Sequence, residues 1–270
     1  MDAHSEDLVR ATISSQHPRF PPPDLSKNPL APFLLSSIWR QEDATTQQRK
    51  SFASQLSTFL QTARNLSAYQ ESLRRPPTES LAIFNQKIAH FAQVCISFEH
   101  RLLILEVPSP STTYALTRED EVVRMGLGKF KELLHRVVHI AFKLYTVAVF
   151  RDLQSNYNMV QTLQTDFQHL KEALVSVPMG ERSVEDKHLL LWALWVIGST
   201  MQASLHTDQH ECVILVKALL LDLEINKWSE MRVILSGVLW SVRMQKKRCL
   251  DLCVRYGLLV APEEVSDFGC

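Results

Sequence analysis

HLLLWALWVIGSTMQA, residues 188–203, is the most hydrophobic stretch of the chain, and it carries Trp192 and Trp195. Its uninterrupted apolar run, 189–198, is about half of the roughly 20 residues that a membrane-crossing helix needs. Charges bound it: Glu185, Asp186 and Lys187 precede it, and Asp208, His210 and Glu211 follow. Ser199, Thr200 and Gln202 interrupt any extension. The stretch therefore reads as a buried core helix, with no membrane association expected.

Working outward, the composition points the same way. Only 7 glycines occur in 270 residues, and several of the 12 prolines crowd into the first 32 positions. Few glycine-dependent turns and many good helix formers favour helix. Lys plus Arg and Asp plus Glu number 29 each, so no overall field draws the chain to nucleic acid or anionic lipid. The five cysteines, Cys95, Cys212, Cys249, Cys253 and Cys270, are scattered and odd in number, which fits a reducing compartment. The N-terminus has no apolar signal core, so nucleus or cytoplasm is expected, without secretion.

Periodicity supplies the organisation. Residues 1–31, with PPPD and NPLAP, read as a disordered Pro-rich lead. APFLLSSIWRQ offers a short helix from residue 32, and 44–75 runs at helical spacing through Phe52, Leu56, Phe59, Ala63 and Leu66. Pro76 and Pro77 break it, and Thr78 is the expected cap of a helix that VPSPST ends. From Thr117 one long helix or two abutting ones are expected, with Gly126 and Gly128 marking a break. A helix over 158–176 follows. Ser183 and Asp186 stand in capping-box-like positions before the opening stretch. Another helix begins near Thr207 or Asp208, one or two more cover 226–259, and 261–270 reads as a loose tail. The expected fold is all-α: a single domain of eight to ten helices over 32–260.

Catalytic and metal chemistry find little purchase. GLGKF, residues 126–130, lacks the glycine spacing and the Ser or Thr of a phosphate loop. His135 with His139, and His206 with His210, have the i, i+4 spacing of some zinc sites. The first pair lacks a metalloprotease glutamate, and the second straddles a helix start. Cys249 and Cys253 lie four apart, which is not a CxxC motif. Glu119, Asp120 and Glu121 sit at a helix start, where the helix dipole accounts for them. We expect no enzyme activity, metal or cofactor. Arg243, Lys246, Lys247 and Arg248, with Arg255 beyond, form a basic contact patch suited to phosphate contact or nuclear import, or else a solvated helix face.

The C-terminal helices carry a family resemblance. HLLLWALWVIGSTMQA and then VKALLLDLEINKWSEMRVILSGVLW resemble the ending of the fungal-specific transcription factor domain. That domain is the helical regulatory region downstream of a binuclear zinc cluster. The matching elements are Leu190, Leu191, Trp192 and Gly198; Leu219 and Leu223; Trp228 and Glu230; and Leu235, Leu239 and Trp240. Upstream, HRVVHIAFKLYTVAVFRDL is similar to a family helix that presents Tyr or Arg near its end, here Tyr145 and Arg151. The resemblance covers 80–258, most closely 130–245. It implies a regulatory role in which Trp192, Trp195, Trp228 and Trp240 form a core or line an effector pocket.

The departure from the family is as informative. The zinc cluster needs six cysteines in two CxxC-type halves, and this chain has five in total with no CxxC. No sequence-specific DNA binding by that module is expected. The expected function is transcription regulation without a DNA-binding module of its own, through helical contacts with a protein partner or effector sensing. The partner would be transcriptional machinery or a DNA-binding regulator. The alternatives are a fragment of a full zinc-cluster factor whose upstream exon is missing, or a small helical enzyme or scaffold.

Overall fold

The computed structural model of the chain describes residues 11, 18–20, 52–74, 80–105, 119–150, 182–200, 206–241 and 248–268. Among them the fold is all-α, with seven α-helices and no strand. The helices expected over 32–41 and 158–176 lie outside the described residues. Two compact units are present, Met1–Glu106 and Val107–Cys270, where the sequence suggested one domain over 32–260.

The first unit is built on α1, Phe52–Leu73, and α2, Leu81–Leu103. Leu56, Phe59, Ala63 and Leu66 recur at three- and four-residue spacing and are buried with Val94, Cys95, Phe98 and Leu102. Phe59 meets Phe98 edge-on at 5.5 Å, and Tyr69 meets Phe91 at 5.9 Å. Advancing along α1 thus means retreating along α2, so the two form an antiparallel hairpin. Ser80 caps α2 by accepting from the Ile83 amide at 3.5 Å; Thr78, the expected cap, lies outside the described residues. The lead is not wholly without structure. Ala11 is helical and buried with Leu103, and the His100 ring Nε2 lies 3.0 Å from the Phe20 carbonyl. These contacts tie the described residues of the lead to the last turns of α2.

The second unit contains α3, Glu119–Tyr145, continued by a π turn over Thr146–Phe150. It then runs through α4, Val184–Thr200; α5, His206–Asp222; α6, Trp228–Val238; and α7, Arg248–Tyr256. The break expected at Gly126 and Gly128 does not occur, and α3 is continuous through both. A glycine inside a helix costs about 1 kcal/mol relative to alanine, which the packing of the buried Phe130, Leu134, Val137, Val138, Ala141 and Phe142 offsets. Phe130–Phe150 is apolar and long enough to cross a membrane by length and composition, but most of it is buried within the protein.

The opening stretch is the hub. All of Leu190–Ile197 is buried, on every side of the helix, and α4 touches α3, α5, α6 and α7. A helix apolar all round belongs in a core. Ser183 caps it by accepting from the Asp186 amide at 3.1 Å, as the sequence pattern suggested. Lys187 near its start pairs with Asp222 at the end of α5 at 2.9 Å, and the Cys212 thiol near the start of α5 reaches the Leu194 carbonyl at 3.5 Å. Helices α4 and α5 therefore run antiparallel.

Turn chemistry closes the unit. Helix α5 ends with Ile225 N–H donating to Leu220 and Glu224 N–H to Leu221, while Glu224 takes a left-handed φ of 56°. Helix α7 ends the same way, with Leu258 donating to Cys253, Gly257 to Val254, and Gly257 at φ 78°. Both are Schellman caps. The segment after α7 then pairs with the loop before α6: Trp228 N–H donates to Leu259 at 2.9 Å and Leu259 N–H to Asn226 at 2.8 Å. The tail expected to be loose instead winds into a 3-10 helix, Pro262–Phe268. The Glu264 carboxylate accepts from the Ala261 amide at 2.9 Å and holds its start.

Two substitutions test this packing. A Cβ at Gly198 would collide with the Tyr256 hydroxyl. Gly198→Ala should lower the unfolding free energy by about 1–3 kcal/mol, and adding Tyr256→Phe should restore part of it in urea titrations. His90 is buried, neither ring nitrogen finds a hydrogen-bond partner among the described residues, and burial lowers its pKa below the ordinary 6.5. The unfolded chain therefore takes up a proton that the folded chain resists. Its contribution is intact above about pH 6.5 and is lost as pH falls toward the depressed folded value. His90→Gln should flatten the acid limb of a melting-temperature profile against pH.

Candidate functional site

The four tryptophans singled out in the sequence lie in the second unit. Trp192 and Trp195, three residues apart on α4, reach different partners. The Trp192 ring packs 5.0 Å from Phe142 and 6.2 Å from Tyr145 of α3. Its indole N–H donates to the Leu239 carbonyl at 2.7 Å. Leu239 follows α6 in extended conformation, φ −163° and ψ 124°. The bond therefore ties α4 to the exit from α6.

Trp195 faces α6 and α7, with its ring 5.3 Å from Trp228 and 5.6 Å from Tyr256. Trp228 in turn packs 5.9 Å from Trp240. The result is a row of rings, Tyr256, Trp195, Trp228 and Trp240, that passes from α7 across α4 to α6 and beyond. Such contacts contribute about 0.5–1.5 kcal/mol per pair beyond area burial. Trp192, Trp195 and Trp228 are fully buried and Trp240 is half-buried. Each of the four rings packs against at least one other aromatic ring.

The remaining motif residues position this row. Trp228 opens α6, and Glu230 reaches back to accept from the amides of Lys227 and Asn226, both at 3.2 Å. Lys227, at the cap position, has no side-chain acceptor, so Glu230 supplies the cap alone. Gly198 leaves room for the Tyr256 hydroxyl. Tyr145 is buried, packing on Phe150 at 5.8 Å as well as on Trp192. Arg151 lies outside the described residues, as do Arg243, Lys246 and Lys247 of the basic patch; Arg248 opens α7 with its side chain undescribed.

Titratable groups are tuned by burial. The Cys212 thiol is pushed up to about 12 by burial, against a hydrogen bond with Tyr256. Cys253 is also raised to about 12, by burial and then by the nearby Glu264. Burial raises Cys249 as well, with Cys253 adding to it, and holds the Tyr256 phenol well above its usual range. Burial thus favours the protonated form of these three thiols and of the phenol at neutral pH. His135 is lowered by burial, opposed by Asp186 and assisted by Lys131, while its companion His139 is buried. His206 and His210 lie at the start of α5 with side chains undescribed. Among the described residues, no group of three His, Cys, Asp or Glu is placed to hold a metal ion.

Two polar features escaped the sequence reading. Lys187 and Asp222 form a largely buried ion pair, their side chains 11% and 13% exposed. Arg182, buried itself, sets its guanidinium 5.4 Å from the centre of the Phe130 ring, a cation–π contact. Asp222 also acts on Arg182, opposing the lowering of its pKa by burial. One carboxylate thus answers cations on both sides of the α4 start. Partners so far apart in the chain give no local signal of such a pair.

No family model matches the chain, and none of the curated proteins or solved structures matches it.

The geometry separates the tryptophans by experiment. Trp192→Phe leaves the buried Leu239 carbonyl without its donor, a loss of about 1–3 kcal/mol. Trp195 makes no indole hydrogen bond among the described residues, so Trp195→Phe should cost less in the same denaturation assay. The thiols give a second check. At about pH 8, Cys95, Cys212, Cys249 and Cys253 should react with a thiol reagent far more slowly in the folded chain than in denaturant, as their burial requires. Peptide mapping of the labelled sites reads this directly.

Proposed function

We propose that this chain is a transcription-regulator-like protein that acts through helical contacts with a protein partner and leaves DNA contact to that partner. What supports the reading is the role of the residues whose pattern resembles the fungal-specific transcription factor domain. Trp192 binds the Leu239 carbonyl, Gly198 admits Tyr256, Glu230 caps the helix that Trp228 opens, and Trp240 packs on Trp228. Motif residues scattered along the C-terminal helices act together in one core. That is how a family pattern of packing residues is expected to behave.

Partner contact is favoured over effector enclosure because the aromatic rings fill the core against one another. The outer faces, by contrast, carry large apolar side chains: Leu221 on α5, Val233 on α6 and Val254 on α7, each more than two-thirds exposed. Apolar side chains on helix faces suit partner helices or grooves. Under the effector-sensing alternative, a ligand bound within this core would raise the melting temperature.

Deleting the gene should change a defined set of transcripts, while the purified chain shows no sequence-specific DNA affinity. Leu221→Glu and Val254→Glu should leave the melting temperature within about 2 °C yet abolish the transcript response. Unchanged transcripts on deletion would overturn the proposal. Full-length transcript sequencing separates the fragment alternative, because an in-frame upstream exon rich in cysteine, lysine and arginine would supply the zinc cluster.

A further inference from the structure

We draw no further inference here: the strongest candidate, the exposed apolar stripe of Leu81, Ile88 and Ala92 along the first half of α2, has nothing in the structure to show what covers it.

Discussion

The second unit depends on one helix having no outside. Every residue of α4 from Leu190 to Ile197 is buried, so the helix must be enclosed by neighbours before its apolar surface leaves water. Four helices do this, and each is fixed by a separate contact. Helix α3 stacks Phe142 on Trp192, and α5 brings Cys212 to the Leu194 carbonyl. Helix α7 lays Tyr256 over Gly198, and the exit from α6 offers the Leu239 carbonyl to Trp192. Only the last is a strong directional bond, so it sets the position of α6 where dispersion alone would tolerate sliding.

Placement of polar groups follows from the same enclosure. Because the middle of α4 is buried all round, its own charged residues, Glu185, Asp186 and Lys187, are confined to its start. At its start Lys187 meets Asp222 across α5. A buried ion pair adds little net stability, since desolvation offsets the attraction. It does penalise any arrangement that would strand one charge, and so it favours the antiparallel register of α4 and α5. The raised thiols at Cys212, Cys249 and Cys253 reflect the same dry interior.

Much of this was legible in the sequence, for identifiable reasons. Helical periodicity places α2, α3 and the end of α1 to within a few residues, while residues 44–51 of the expected first helix lie outside the described residues, and the uniform apolarity of 188–203 marks the hub. Ser183 and Asp186 give the cap of α4 because that contact is local. What could not be read is what distance in sequence hides: Lys187 with Asp222, Arg182 over Phe130, and the divergence of Trp192 from Trp195. Their spacing of three sets them near one another on the helix, and tertiary packing sends each to a different partner. The glycines at 126 and 128 misled because propensity is weaker than burial of the adjoining face. The tail beyond 260 looked featureless, since its order comes from Glu264 and from pairing with the loop that precedes α6.

The uneven distribution of indoles has an optical consequence. Four of the five tryptophans, Trp192, Trp195, Trp228 and Trp240, belong to the second unit, and the fifth is Trp39. Three of the four are sealed from water and stacked within 6 Å of another aromatic ring. Emission from the chain is therefore weighted toward residues 107–270 and should be blue-shifted, with near-ultraviolet dichroism from the coupled rings. Helical dichroism in the far ultraviolet draws on α1 and α2 as well. Light of two wavelengths therefore samples the two units in different proportions, without any label.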